Sequence, residues 1–187
     1  MINKFFHLLL PVAAFLIGGI PTGYLLGRFY GMPDIRQHGS GNIGASNAGR
    51  IFGITSFLIV FCIDAGKAFL FLLFTQSFTS DWPMILLVAL LLLLGNCYSP
   101  FLGFNGGKGV ATLMGIVGYL SLPFMAVLSI CWLIFLYLLK SPGYASLLLI
   151  SGLPVASMFL FAIHWTAFFI FAALLIFYRH KKNLLVN

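Results

Sequence analysis

Long runs without a charged side chain constrain this chain more than any other feature. Residues 110–139 contain no Asp, Glu, Lys or Arg, and residues 145–178 form a second such run. A membrane-spanning helix needs about 20 apolar residues, and the alternating polarity of a transmembrane barrel is absent from the sequence. With 61% hydrophobic and only 7% charged residues, the chain is predicted to be all-α and polytopic, a single membrane domain over residues 1–187.

The apolar runs divide into about seven transmembrane helices. The run 110–139 is too long for one upright helix and is interrupted at 118–123, so we split it; the run 145–178 is split near His164 and Trp165. The predicted spans cover residues 5–27, 51–77 and 82–98, two helices within 110–139 and two within 145–178.

Basic residues predict the orientation, because cytoplasmic loops of membrane proteins are enriched in Lys and Arg. An outside amino terminus and a cytoplasmic carboxyl terminus leave only Lys4 and Asp81 at the outer face. The cytoplasmic face then receives Arg28, Arg36, Arg50, Lys108, Lys140, Arg179, Lys181 and Lys182.

Asp64 and Lys67 lie one helical turn apart inside the second predicted span. Charged residues within a span face protein or water and pair with one another. We favour a structural ion pair, with a proton relay as the alternative.

A polar, glycine-rich segment interrupts the hydrocarbon at residues 34–50, the first glycine-rich segment. Its glycines let an anion approach backbone N–H groups, and its serines, asparagines and arginines can add donors. The segment predicts either a phosphate-binding cradle or a solvated loop with ordinary turn residues. The residues concerned are Arg36, Gly39, Ser40, Gly41, Asn42, Gly44, Ser46, Asn47, Gly49 and Arg50.

A second glycine-rich segment, residues 95–112, centres on Asn105-Gly-Gly-Lys108-Gly109 and leads into a helix predicted from Val110. Glycine amides, a helix N-terminus and the point charge of Lys108 together indicate a second anion site. The spacing differs from that of a nucleotide P-loop, and a tight turn between spans is the alternative.

Other chemistries find little support in the sequence. His38 and His180 are the histidines that could meet a substrate, while hydrolase motifs and paired carboxylates are missing. Cys62, Cys97 and Cys131 have unrelated spacings, so neither a disulfide nor a metal site is expected. The positive charges are scattered rather than arranged in a stripe, which argues against nucleic acid.

These segments resemble the bacterial acyl-phosphate:glycerol-3-phosphate acyltransferases of the PlsY type. The resemblance is carried by GSGNIGASNAGR at 39–50, FLGFNGGKGVAT at 101–112 and His180 with Asn183 near the end of the chain. It implies a multi-pass enzyme of the bacterial inner membrane that transfers an acyl chain from acyl phosphate to glycerol 3-phosphate among membrane lipids. No cofactor is implied.

The resemblance also implies a set of substrate-binding residues. A side-chain base is not required, because a substrate phosphate oxygen can accept the hydroxyl proton. No catalytic residue is therefore assigned, and His180 is the candidate. The implied binding residues are Ser40, Gly41, Asn42, Gly44, Asn47, Arg50, Gly106, Gly107, Lys108, Gly109, Ser146, His180 and Asn183.

Two alternatives remain at the level of sequence. Asn96, Asn105 and Gly143 stand where the family pattern has histidine, lysine and arginine, which favours a weakened paralogue that binds a phospholipid or partner. A small-anion carrier using Asp64 and Lys67 is the other.

Overall fold

The computed structural model describes residues 2–185, with side chains described for residues 8–181. This part of the chain is helical, and no strand occurs within it. Two short 3-10 turns, Ile35–Gln37 and Pro100–Leu102, lie in the two glycine-rich segments. The nine α-helices are α1 (Ile2–Gly19), α2 (Thr22–Phe29), α3 (Ala45–Phe52), α4 (Ile54–Gln76), α5 (Trp82–Cys97), α6 (Val110–Leu120), α7 (Leu122–Leu139), α8 (Pro142–Leu160) and α9 (Ile163–Leu185).

The chain forms two compact units. The first ends at Tyr119 and contains both glycine-rich segments, and the second begins at Leu120 and contains α7, α8 and α9.

Among the described residues, five helical stretches are long and apolar enough to cross a membrane: α4, α5 together with the 3-10 turn that follows it (Trp82–Leu102), α7, α8 and α9. Helices α1 and α2 meet at a bend of 42° and can together form a sixth span. Helix α6 has 11 residues, a rise of about 16 Å, which is shorter than the roughly 30 Å hydrocarbon core. A helical membrane fold is thus confirmed, and a seventh crossing would fall to α6. The predicted breaks in the two uncharged runs lie at Ser121 and at residues 161–162.

The break between α1 and α2 frees carbonyl groups that must find donors in an apolar environment. The carbonyl of Gly19 accepts a hydrogen bond from Ser99 Oγ at 2.6 Å, and that of Ile20 accepts one from Lys67 Nζ at 2.9 Å. Thr22, the first residue of α2, donates its hydroxyl to Asp64 Oδ1 at 2.7 Å.

Asp64 and Lys67 are themselves an ion pair, as predicted, with Nζ 2.8 Å from Oδ1 and each side chain 8% exposed. Because both groups also bind the break between α1 and α2, the pair holds this corner together. The structural interpretation is therefore favoured over a proton relay.

Helices α1 and α5 approach closely in the first unit. A Cβ at Gly18 would collide with the backbone of Leu92, and one at Gly95 with the carbonyl of Phe15. Small residues allow membrane helices to pack with their backbones this near. The contact places the end of α5, and with it the start of the second glycine-rich segment, beside the end of α1.

In the second unit, neighbouring helices are joined by polar side chains. The indole of Trp132 on α7 donates to Ser146 Oγ on α8 at 3.0 Å. The hydroxyls of Ser157 on α8 and Thr166 on α9 are hydrogen-bonded to each other at 3.0 Å, and both residues are buried.

We predict that Lys67→Met destabilises the protein by about 3–5 kcal/mol, because Asp64 would remain charged and buried without its partner. The double variant Asp64→Asn/Lys67→Met should lose less, since it leaves no unpaired charge. Thermal unfolding in detergent measures both, with Ile63→Val on the exposed side of α4 as the control. A double variant less stable than Lys67→Met would contradict this account.

Candidate functional site

The first glycine-rich segment is folded onto its own small hydrophobic core, which excludes a loosely solvated loop. Ile35, Ile43, Ala45 and Ala48 are buried there against Val60 of α4. Asp34 caps the 3-10 turn Ile35–Gln37, and its carboxylate accepts the Arg36 backbone N–H at 2.9 Å.

Arg36 forms an ion pair with Asp34. Its guanidinium lies 2.7 Å from Asp34 Oδ2 and also donates through Nε. The hydrogen bond from the Arg36 side chain holds the pKa of Asp34 below its ordinary value of 3.8. The pair therefore persists at neutral pH, and Arg36 is already neutralised.

Asn47 is the residue that ties the segment together. Its Oδ1 accepts the backbone N–H of Ser40 at 2.7 Å, and its Nδ2 donates to the carbonyls of Asn42 at 2.8 Å and His38 at 3.1 Å. The side chain is 1% exposed. Both ends of the carboxamide are thus used within the protein.

The second half of this segment is a helix rather than the loop predicted from its glycine and asparagine content. Helix α3 starts at Ala45 after Gly44, which provides no side-chain cap. The amides of a first helical turn have no partner within the helix and are available to an anion.

An open edge of the segment carries the groups that can reach a ligand. Ser40, Gly41 and Arg50 are exposed, and among the described residues neither the Ser40 hydroxyl nor Arg50 has a hydrogen-bond or ion-pair partner. Asn42 uses its Oδ1 to accept the Gly44 N–H at 3.0 Å.

The second glycine-rich segment turns at residues 100–102 and continues without regular secondary structure to α6, which begins at Val110 as predicted. Gly106, Gly107 and Gly109 are buried, and Lys108 is half-buried. Non-helical backbone in a membrane protein is tolerated where protein surrounds it.

The first unit brings the two segments together. Leu102 of the second segment packs against the hydrophobic core of the first, and Ser99 binds the carbonyl of Gly19, three residues before α2 begins. Ten of the thirteen predicted binding residues therefore belong to one compact unit. They are Ser40, Gly41, Asn42, Gly44, Asn47, Arg50, Gly106, Gly107, Lys108 and Gly109.

The remaining predicted residues belong to the second unit. The Ser146 hydroxyl accepts from Trp132 and donates to the Pro142 carbonyl at 2.8 Å. His180 is 3% exposed, and its Nδ1 lies 2.8 Å from the Ile176 carbonyl, which orients the ring. The side chain of Asn183 lies outside the described residues.

Two residues with defined contacts in the site were not predicted from the sequence. Asn96 is buried at the end of α5, and its Oδ1 accepts the Gly109 N–H at 3.1 Å. Ser99 is buried with its hydroxyl on Gly19. A polar residue ending an apolar helix just before a glycine-rich stretch was the available signal.

Comparison with known proteins gives a consistent result across nearly the whole chain. The sequence model described as glycerol-3-phosphate acyltransferase matches residues 8–186. The glycerol-3-phosphate acyltransferase of Lactiplantibacillus plantarum is 35% identical over 179 residues, 95% of this chain and 86% of that protein. Glycerol-3-phosphate acyltransferase 2 of Thermotoga maritima is 34% identical over 94% of this chain and 90% of its own length.

The fold is also similar to a solved structure. The crystal structure of PlsY, an integral membrane glycerol 3-phosphate acyltransferase, in its glycerol 3-phosphate form aligns with a TM-score of 0.88 and 31% identity. The alignment covers 95% of this chain and 90% of that one. The lysophosphatidic acid form aligns with a TM-score of 0.86 and 30% identity, covering 95% and 89%.

We predict that Gly39→Ala disrupts the first glycine-rich segment whereas Gly44→Ala does not. Gly39 has a φ of +61°, and a Cβ there would collide with Asn47 Oδ1. At Gly44 the backbone is extended, and the nearest atom to a Cβ is 3.5 Å away, an ordinary contact.

Amide hydrogen exchange of residues 38–47 in detergent measures the difference. Left-handed strain of about 1–2 kcal/mol should speed exchange in Gly39→Ala by roughly tenfold or more. Equal exchange in the two variants would contradict the described turn.

Proposed function

Because this chain belongs to the glycerol-3-phosphate acyltransferase family, we propose that it transfers a fatty acyl group from acyl phosphate to the sn-1 hydroxyl of glycerol 3-phosphate. The product is lysophosphatidic acid, a precursor for phospholipid synthesis. The family model covers residues 8–186, and the PlsY structures in glycerol 3-phosphate and lysophosphatidic acid forms support the acceptor and the product.

The distribution of carboxylates is the observation that carries the proposal. The chain has only three acidic residues. Asp34 is paired with Arg36 and Asp64 with Lys67. Asp81 precedes the 16-residue α5, and the second glycine-rich segment follows that helix, so about 24 Å of helix separates them. Among the described residues Arg50 has no carboxylate partner, which suits a site that binds anionic substrates.

The reaction itself asks little of the protein beyond positioning. The sn-1 hydroxyl oxygen attacks the carbonyl carbon of the acyl phosphate, the carbon–oxygen bond to phosphate breaks, and inorganic phosphate leaves. The hydroxyl proton passes to a phosphate oxygen of the leaving group. Holding two anions together and stabilising the developing oxyanion supply the main catalytic effects.

Each glycine-rich segment offers a binding edge for one anion. In the first, the Ser40 hydroxyl, the α3 N-terminus and Arg50 provide donors, while Asn47 holds the backbone from behind. In the second, Lys108 supplies a compact charge at the start of α6. Membrane lipids surround the helices, and His180 remains a candidate for contact with substrate.

The alternatives from the sequence receive less support. Asp64 accepts a hydrogen bond from Thr22, and Lys67 donates one to the Ile20 carbonyl at the helix break, so neither is available as a carrier site. Asn96, one of the departures from the family pattern, is buried and hydrogen-bonded to the second segment, so its replacement of histidine does not leave a gap there.

We predict that the purified protein converts glycerol 3-phosphate and palmitoyl phosphate into lysophosphatidic acid, and that Lys108→Ala slows this reaction about 30- to 1000-fold. The loss corresponds to roughly 2–4 kcal/mol of transition-state stabilisation by a charge-assisted hydrogen bond. Lysophosphatidic acid formation in detergent is the measurement.

Lys181→Ala provides the matched control, because Lys181 lies 4.5 Å over the Tyr178 ring and is exposed. It should retain near wild-type turnover. A folded Lys108→Ala enzyme with full turnover would make the second segment a turn rather than an anion site, whereas a folded wild type without turnover would favour the paralogue that binds without catalysis.

We also propose that the protein lies in the bacterial inner membrane with seven crossings, its amino terminus outside and its carboxyl terminus cytoplasmic. The sorting of basic residues supports this orientation. The crossing at α6 is supported by the buried non-helical residues Gly106, Gly107 and Gly109, which lengthen its path.

Impermeant thiol labelling of intact cells tests this topology in a cysteine-free background. Cysteines at Thr79 and Ala162 should react, whereas those at His38 and Asn187 should not. If α6 does not cross, Ala162 becomes protected and Asn187 reactive, which would refute the seven-crossing arrangement.

A further inference from the structure

Asn96 accepts hydrogen bonds from the second glycine-rich segment through both of its oxygen atoms. Its backbone carbonyl accepts the Gly107 N–H at 2.7 Å, and its side-chain Oδ1 accepts the Gly109 N–H at 3.1 Å. These two amides flank Lys108 on either side. The residue is 7% exposed at the end of α5, so α5 directly supports the backbone from which Lys108 projects.

The contact is close enough to require glycine in the segment. A Cβ at Gly107 would lie 3.0 Å from Asn96 Oδ1, and one at Gly106 would collide with the Asn96 carbonyl. Gly109 has a φ of +86°, a left-handed conformation that its hydrogen bond to Oδ1 helps to fix.

We propose that Asn96 is a positioning residue for the acyl transfer: its carboxamide oxygen fixes the backbone on the carboxyl side of Lys108 and so holds the ammonium where the substrate phosphate binds. This inference rests on the proposed function. It assigns a role to a position at which the chain departs from the family pattern.

The chemistry of the position calls for a neutral acceptor. A carboxylate would accept the same N–H but would place a negative charge beside an anion site. Histidine, the residue of the family pattern, presents Nδ1 at the same number of bonds from Cα as Asn Oδ1, and a neutral ring can accept through it. Asparagine and histidine can therefore serve the same purpose here.

Three substitutions separate the acceptor from the size of the side chain. Asn96→Leu has a similar volume but no acceptor and should lower kcat/KM for acyl transfer about 10- to 100-fold. Asn96→His should recover to within roughly threefold of wild type, and Asn96→Asp should remain impaired. Thr75→Val, which removes a buried hydrogen bond in α4 of the same unit, is the control for general destabilisation and should stay near wild type.

The Lys108→Ala background shows whether Asn96 acts through Lys108. There, Asn96→Leu should cost less than about threefold, because the group it positions is gone. If Asn96→Leu causes the same loss in that background as in the wild type, the proposal is overturned. Wild-type turnover by Asn96→Leu would also overturn it, and so would an Asn96→His variant that is no more active than Asn96→Leu. If Asn96→Leu does not fold, Asn96→Ser, whose hydroxyl is too short to reach Gly109, takes its place in both backgrounds.

Amide hydrogen exchange makes the outcome independent of turnover. Asn96→Leu should speed exchange at Lys108 and Gly109 by about tenfold or more while residues 38–47 exchange as in wild type. If the wild type forms no lysophosphatidic acid, the proposed function fails, and this exchange then decides the loop-holding role alone. Unchanged exchange at Gly109 would overturn that role as well.

Discussion

The break between α1 and α2 is the point on which the positions of both glycine-rich segments depend. In an apolar environment a freed carbonyl must find a donor, and here two are satisfied by distant residues. Ser99 binds Gly19 and Lys67 binds Ile20. Ser99 immediately precedes the 3-10 turn of the second segment, and α2 leads from the break into the first segment. One cluster of hydrogen bonds therefore fixes both segments relative to the end of α1.

The scarcity of carboxylates decides what the segments can do once they are fixed. Two of the three acidic side chains are paired with a nearby cation, Asp64 with Lys67 and Asp34 with Arg36. A chain with more acidic residues would neutralise its remaining cations internally. Arg50 stays exposed on α3, and among the described residues it has no ion-pair partner. We propose that the substrates' phosphates balance this charge, so that anion binding follows from composition as well as from geometry.

Much of this arrangement can be predicted from the sequence, because an uncharged apolar run of about 20 residues usually forms a membrane-spanning helix. The long helices α4, α5, α7, α8 and α9, the Asp64–Lys67 pair and the start of α6 were all predictable in this way. Helix α3 was not, since its glycine and asparagine favour a loop, and only packing of Ala45 and Ala48 on Ile35 and Ile43 makes it a helix. Asn47 was predicted to donate to phosphate, but in the structure it donates to backbone carbonyls such as that of His38. Those partners depend on the path of the backbone, which the local sequence does not specify.

Asn47 and Asn96 show the same solution to one physical problem. A glycine-rich segment gains access for an anion but loses the side chains that would order it, so its conformational entropy works against a fixed site. In each segment a buried asparagine, 1% and 7% exposed, replaces that lost order by accepting a backbone N–H through Oδ1, of Ser40 in one case and Gly109 in the other. A neutral carboxamide does this without adding charge beside the proposed anion sites. An aspartate at either position would accept the same amide N–H but would repel a phosphate at those sites, so asparagine can hold the loop without opposing the proposed binding of substrate.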